Sequence, residues 1–249
     1  MTVYLLAAGI TLFFTVWLTI AGLGAAFILV PLYLALGVEL HSAMATALLL
    51  NAIAMAFACA RYIPAKLVDV RLAVPILIVA TALSPLGAWS SSFVPVTTLK
   101  WLFIAFLVFA GAMMLFYKPQ PRPAASTTRA VGSGVAVGSA AGFLGGMLGV
   151  GGGNFVVPVL VWLGLDAKHA AGTTAFVVIF SSFAGFLGQA SIAEFDGALL
   201  AWTAGASIAG ALLGAWLMHR KLQSAQVKRV IGVLLFLIAA VMAWKLLGG

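Results

Sequence analysis

The sequence predicts an all-α integral membrane protein made of two inverted-topology repeats, with about 8–10 transmembrane or membrane-embedded helices. Three observations lead to this prediction. Hydrophobic residues make up 64% of the 249 residues, charged residues make up only 7%, and the apolar segments recur at a fixed offset along the chain. Because a soluble domain carries about a quarter charged residues, this chain could not cover its own surface in water.

Ten apolar segments follow one another, and most approach the ~20 residues that a helix needs to cross about 30 Å of hydrocarbon. Those of the first half are 3–21, 23–38, 42–60, 72–90 and 98–117, and those of the second half are 130–148, 150–165, 169–190, 198–217 and 230–247. The segments 23–38 and 150–165 are shorter, begin beside glycines and contain a proline. These two either span the membrane or enter it and bend near the midplane.

The two halves match without a gap when the sequence is shifted by 127 residues. Such self-similarity indicates an internal duplication. The matched residues of the first half are Gly22, Gly24, Pro31, Gly37, Ala43, Thr46 and Asp69, and their mates in the second half are Gly149, Gly151, Pro158, Gly164, Ala170, Thr173 and Asp196.

The charges of the loops predict that the two repeats are inverted. Lys and Arg mark cytoplasmic loops, and the loop 61–71 is basic whereas its mate 188–198 holds only Glu194 and Asp196. Conversely, the loop 91–97 has no charge, and its mate 218–229 holds four basic residues. We therefore expect repeats at 1–117 and 130–249, joined by a cytoplasmic linker at 118–129, with the N-terminus outside a bacterial-type inner membrane.

Glycines interrupt the chain at equivalent places in both repeats. The run from Gly149 to Asn154 cannot favour a continuous helix, because each glycine costs about 1 kcal/mol there. Broken backbone at membrane depth is tolerated where it is buried in protein or lines a cavity, and the N–H groups that open the next helix form an anion site. The candidate substrate-binding residues are Gly22, Gly24, Thr46, Asn51, Gly149, Gly151, Gly152, Gly153, Asn154, Thr173 and Thr174.

Each candidate also has a structural interpretation. Asn154 either donates to an oxyanion or caps a helix, and the threonines either bind substrate or bond to their own helices. The glycine row 134, 138, 142 and 146 is typical of close helix packing. Asp69 and Asp196 are expected to cap helices, and Tyr62 is expected to lie at the membrane interface.

Several classes of protein are excluded by the same residues. No nucleophile–base pair and no metal-ligand spacing is visible, so we expect no enzyme, no metal and no cofactor. The net charge of +8 is spread over short loops, which excludes nucleic acid as a partner. The expected partners are a small anion and the lipid bilayer, while a coupling ion (proton or sodium) and an oligomeric state are left open.

The segments GLGAAFILVPLYLALGVELHSAMATALLLN and GFLGGMLGVGGGNFVVPVLVWLGLDAKHAAGTTAFVV resemble the twin signatures of the sulfite exporter TauE/SafE family of membrane permeases. The resemblance implies a transporter of sulfur-containing anions such as sulfite or organosulfonates, often outward. The first copy departs from the pattern, with Ala25, Ala26 and Phe27 where the second has glycines and Asn154. We expect a secondary transporter that works by alternating access, and the alternatives are a passive anion channel or a permease for another small organic anion.

Overall fold

The computed structural model describes residues 2–91, 93–117, 127–148, 153–190 and 196–247. These residues fold into ten α-helices and one π-helical turn, which confirms an all-α fold. Five of the described helices are long and apolar enough to cross a membrane. The helices are α1 Thr2–Ala21, α2 Ala26–Ala35, α3 Leu40–Tyr62, α4 Val70–Ser91, α5 Val96–Phe116, α6 Thr127–Leu148, α7 Gly153–Trp162, α8 Ala167–Ala190, α9 Gly197–Trp216 and α10 Ser224–Leu247, with the π-helical turn at Leu217–Lys221.

Two of the helices, α2 and α7, have only ten residues, whereas the other eight have 20–24. At a rise of about 1.5 Å per residue, ten residues cover about half of the hydrocarbon thickness. Each short helix is followed, two residues after its end, by a glycine with positive φ, which is +85° at Gly37 and +94° at Gly164. The two shorter apolar segments of the sequence are therefore half-length helices.

Hydrogen bonds recur at the offset of 127 residues where these short helices end. Val38 N–H donates to Tyr33 C=O over 3.0 Å, and Leu165 N–H donates to Leu160 C=O over the same distance. The carboxylates that precede the long helices also repeat their roles. Four carboxylates each accept an N–H group from the first turn of the helix that follows: Glu39, Asp69, Asp166 and Asp196. This role was predicted for Asp69 and Asp196.

The two halves are interleaved, because the first helix of each half packs on the fourth helix of the other. On α9, Gly210 lies against Leu12 and Thr15 of α1, and Gly214 lies against Val16 and Thr19, so these two helices run parallel. On α6, the row Gly134, Gly138 and Gly142 lies against α4 in the same parallel manner, from Leu72 to Ala80. Close packing of the glycine row is thereby confirmed at these three positions.

The central helices of the two halves cross in the opposite sense. Asn51 of α3 meets Ser182 of α8, and Leu48, one turn earlier, meets Gly185, one turn later, so α3 and α8 are antiparallel. In the same way Gly111 of α5 packs at Gly232 of α10, and Lys228 Nζ donates to the carbonyl oxygen of Tyr117. The core of the bundle lies where α3 and α8 meet α1, α2 and α9.

Candidate binding site

The first of the two predicted breaks is a turn at Gly22–Ala25, which connects α1 to α2. Gly22 has a φ of +68° and Gly24 has a φ of +82°. This left-handed region is costly for residues that have a Cβ, whereas glycine adopts it freely. Two such residues within three positions reverse the chain sharply, so the sequence predicted the break at the right place.

Both glycines also allow close contacts that no side chain would permit. A Cβ on Gly22 would lie 2.7 Å from the Cα of Ala171 in α8, and a Cβ on Gly24 would lie 2.8 Å from the Cγ of Asn51. Real Cβ atoms essentially never come so close to another heavy atom. The turn is therefore inserted between α3 and α8, one from each half of the chain.

Asn51 is the polar centre of this junction. Its Oδ1 accepts the N–H of Ala25 over 2.6 Å, and its Nδ2 donates to Ser182 Oγ over 2.7 Å. Asn51 is 3% exposed and Ser182 is 5% exposed, and an unpaired amide buried to this extent would cost about 1–3 kcal/mol. One side chain thus joins the turn, α3 and α8.

Tyr62 stabilises the turn from the other side. Its hydroxyl donates to the carbonyl oxygen of Thr19 over 3.0 Å, and the same oxygen accepts the N–H of Gly22. Because the last carbonyls of a helix have no partner inside it, these two bonds satisfy the end of α1. Tyr62 is fully buried, so it packs inside the protein and is not an interface anchor exposed to lipid, as the sequence had predicted.

The predicted threonines lie on α3 and α8 and are buried, at 4% exposure or less. Thr173 Oγ1 accepts the N–H of Asp69 over 3.0 Å and so ties the start of α4 to α8. Thr174 Oγ1 has no hydrogen-bond partner among the described residues. Thr46 lies on α3 five residues before Asn51.

The predicted site residues of the second half can be placed only in part. Gly149, Gly151 and Gly152 lie outside the described residues, while Gly153 and Asn154 open α7. The structure therefore brings together Gly22, Gly24 and Asn51, with Thr173 and Thr174 on the same helix as Ala171. Sequence reasoning did not include Ser182 or Tyr62 in the site, although both hydroxyls complete its hydrogen bonds.

The carboxylates lie at helix ends. The pKa of Glu39 is lowered by the N–H groups of His41 and Ser42, and that of Asp196 by the N–H of Leu199 and the hydroxyl of Tyr4. A hydrogen bond from His169 is the main cause that lowers the pKa of Asp166 to about 2. These carboxylates stay ionised as helix caps, whereas the side chains that form hydrogen bonds at the turn, Asn51 and Tyr62, are neutral.

A half-length helix that begins at a buried break, as α2 does, is typical of multi-pass membrane transporters. Comparison with known families leads to the same class. The family described as "Sulfite exporter TauE/SafE" matches residues 6–242. The chain belongs to this family.

Two curated relatives come from Bacillus subtilis (strain 168). The chain is 26% identical over 199 residues to the "Probable membrane transporter protein YdhB", a match that covers 77% of this chain and 80% of the relative. It is 31% identical over 117 residues to the "Probable membrane transporter protein YunE", which covers 45% of this chain and 41% of that protein. No solved structure matches the chain significantly. The protein is therefore a multi-pass membrane transporter, and the prediction that it is not an enzyme is confirmed.

Proposed function

We propose that the protein is a secondary transporter that moves small sulfur-containing oxyanions, such as sulfite or organosulfonates, out of the cell. The family to which it belongs is described as one of sulfite exporters, and the substrate class follows from that description. The mechanism that we propose is alternating access by two inverted repeats. The observation that carries the proposal is the buried turn Gly22–Ala25 between α3 and α8.

The turn offers the chemistry that an oxyanion requires. The first N–H groups of a helix have no acceptor inside it, and the helix dipole places partial positive charge there. In the described structure Asn51 takes up the N–H of Ala25, while its own Nδ2 is directed to Ser182. We propose that the substrate is bound by N–H groups of α2 and α7, with Asn51, Asn154 and the buried threonines contributing amides and hydroxyls.

Two features support inverted repeats at 1–117 and 130–249. The hydrogen bonds that end α2 and α7 recur at the offset of 127 residues. Repeat-equivalent helices cross antiparallel, as α3 does with α8, and such a crossing is expected for a pseudo-two-fold axis in the plane of the membrane. Because α1 packs on α9 and α4 on α6, we propose that these two pairs, rather than the sequence halves, are the bodies that rock.

The charges support an orientation. Basic residues concentrate where α3 and α9 end and where α4, α8 and α10 begin, and we refer to this as the basic end; they are Arg61, Lys66, Arg71, Lys168, Arg220, Lys221, Lys228 and Arg229. Two carboxylates, Asp69 and Asp166, lie there as well. By the positive-inside rule we propose that the basic end and the linker 118–129 are cytoplasmic and that the N-terminus is outside.

Reconstituted vesicles test this function directly. Purified protein in liposomes is assayed for uptake of labelled sulfite, sulfate, thiosulfate, an organosulfonate and a carboxylate, with and without a pH or sodium gradient. We expect saturable uptake of the sulfur oxyanions that accelerates when the same anion is present inside. Flux that rises linearly with concentration and ignores the trans anion would identify a passive channel, and transport of the carboxylate alone would contradict the substrate class.

A matched pair of glycine variants tests the site. Gly24→Ala and Gly37→Ala both place a Cβ at positive φ, but only the Cβ at residue 24 meets Asn51, whereas nothing lies within 4 Å of residue 37. We expect Gly24→Ala to reduce flux at least about tenfold and Gly37→Ala to retain most of it, with both variants eluting as folded protein. Equal flux in the two variants would contradict a site at the turn. If Gly24→Ala does not fold, Asn51→Ala replaces it, with Ser139→Ala as control because the Ser139 hydroxyl donates to Val135 of its own helix.

A further inference from the structure

A cavity lies at the basic end. This cavity, of about 290 Å³, opens between the last residues of α3 and the end of α9 with its π-helical turn. Arg61 and Pro64 line it from one side, and Trp216, His219 and Arg220 line it from the other. The transport site proposed above uses none of these residues.

The two arginines of this cavity have no carboxylate partner within the described ranges. Arg61 and Arg220 are both exposed, and the acids of the basic end bond to other groups. Asp69 accepts a hydrogen bond from the N–H of Leu72. Asp166 Oδ2 accepts a hydrogen bond from the Ser224 hydroxyl and lies 3.5 Å from His169 Nδ1. Two arginines without a carboxylate partner in the described ranges therefore line one cavity, and planar guanidinium groups are well suited to phosphate oxygens.

On the α9 side, two lysines that do not line the cavity contact residues that do. Leu217–Lys221 form a π-helical turn, a rare conformation that is frequent at functional sites. Lys168 Nζ donates to the carbonyl oxygen of His219 over 3.2 Å, and Lys221 Nζ lies 5.5 Å from the ring centre of Trp216. The cavity is thus fixed across α8 and α9.

On both α3 and α9 an exposed apolar side chain lies one turn before a residue that lines the cavity. Phe57 precedes Arg61 by one turn of α3 and is 39% exposed, and Leu213 precedes Trp216 by three residues on α9 and is 45% exposed. Residues three or four apart share a helix face, so each helix presents a basic or aromatic group at its end and an apolar group beneath it. A free anion needs only the basic groups, whereas a phospholipid uses both.

We propose that this cavity binds the headgroup phosphate of an anionic phospholipid. Arg61 and Arg220 bind the phosphate, Trp216 lies at the level of the headgroup, and the acyl chains follow Phe57 and Leu213. The cavity volume, at the lower limit for small-molecule sites, fits a headgroup rather than a whole lipid. Basic pockets between transmembrane helices are known to bind anionic headgroups, and the proposal does not depend on the transported substrate.

Lipid binding to the purified full chain tests the proposal. Native mass spectrometry measures the binding of phosphatidylglycerol and, as a zwitterionic reference, phosphatidylcholine, for the wild type and for Arg61→Gln/Arg220→Gln. The matched control is Arg71→Gln/Arg229→Gln, which removes the same two charges from the basic end outside the cavity. We expect the cavity pair to weaken phosphatidylglycerol binding about 30-fold, equivalent to about 2 kcal/mol, and the control pair to weaken it only a few-fold.

The other outcomes would overturn the proposal. Equal losses in the two double variants would indicate general attraction to a basic surface. Millimolar inorganic phosphate alone is the further test. If it raises the melting temperature, and if loss of Arg61 or of Arg220 abolishes this rise equally, the cavity is a site for free anions. If the glutamine pair does not fold, Arg61→Lys/Arg220→Lys takes its place; it keeps the charge but loses the planar fork, and it should still bind phosphatidylglycerol more weakly than the control pair does.

Discussion

The two helix pairs that join the halves, α1 with α9 and α4 with α6, have the same parallel arrangement but opposite distributions of small residues. In the first pair the glycines are on the fourth helix of its half, where Gly210 and Gly214 receive Thr15 and Thr19. In the second pair the glycines are on the first helix of its half, where Gly142 lies against the backbone of Ala80. Either helix of a pair can supply the space for a close approach.

The difference shows that glycines of the facing helix, α9, make room for the threonine side chains of α1. Thr15 and Thr19 align with Gly142 and Gly146 of α6, so the first half has larger residues at these positions. The facing glycines of α9 absorb the added volume, yet the Oγ1 atoms of both threonines are buried without a hydrogen-bond partner in the described structure. Close packing here outweighs the satisfaction of two hydroxyls.

The largest effect is expected when a glycine of either pair is enlarged. In Gly214→Leu and Gly142→Leu the first added carbon would lie 2.5 Å from the carbonyl oxygen of Val16 and of Ala80, respectively. Because backbone has to move, each variant should lose more than about 3 kcal/mol of unfolding free energy, measured by thermal unfolding in detergent. Gly205→Leu and Gly132→Leu are the controls, since nothing lies within 4 Å of either glycine. Similar losses in controls and variants would contradict the packing explanation, because helix propensity alone favours leucine over glycine.

An intermediate loss of stability is expected for one threonine of α1, Thr11, but not for another, Thr15. Thr11 Oγ1 is 2.9 Å from the hydroxyl of Tyr33, which also bonds to Thr203. Thr11→Val therefore removes one of two hydrogen bonds of a buried hydroxyl and should cost about 1 kcal/mol. Thr15→Val removes an oxygen without a partner and should leave the melting temperature unchanged or raise it. Equal destabilisation by both variants would show that the Thr15 hydroxyl also makes a stabilising hydrogen bond.

A smaller effect of opposite sign is expected at Gly9 of α1. A Cβ at this position meets nothing within 4 Å, and the equivalent residue of α6 is Ala136. Gly9→Ala should therefore stabilise the protein by about 0.5–1 kcal/mol through helix propensity, measured as a rise in melting temperature. A fall would indicate a contact at this face, for instance with lipid or a second copy of the chain.

The smallest effect concerns the end of the α1–α9 pair. Tyr4 donates to Asp196 Oδ2 over 3.0 Å, whereas the equivalent of Tyr4 in α6 is Val131, which has no hydroxyl. Tyr4→Phe should lower the melting temperature less than Thr11→Val does. Because the pKa of Asp196 is lowered in the folded protein, its contribution is present above a pH of about 4 and is lost as the pH falls through the folded pKa. A Tyr4→Phe effect that grows on acidification would contradict this assignment.

Much of the fold follows from local sequence features. The glycines and prolines of 23–38 and 150–165 correctly indicated two interrupted segments, and these are half-length helices. Asp69 and Asp196 cap the helices that they precede, since the N–H groups they bind belong to the next turn of the chain. The α6 glycines at 134, 138 and 142 pack closely against α4, because a spacing of four places them on one helix face.

The side-chain partners of the site could not be predicted in the same way. Asn51 and Ser182 are 131 residues apart, which differs from the repeat offset, so the internal symmetry gives no sign of their bond. Tyr62 has the sequence position of an interface residue, yet its hydroxyl reaches back to the end of α1. Each contact depends on how two distant helices cross, and the sequence of neither helix contains that information.

The pairing of α1 with α9 also constrains biosynthesis. Thr2 begins α1 and Gly197 begins α9, so the ribosome adds nearly the whole chain before the first helix meets its partner. At about 5–20 residues per second, this interval is on the order of 10–40 s. During that time the threonine-lined face of α1 is exposed to lipid or to the insertion machinery, and neither half of the protein can complete its packing alone.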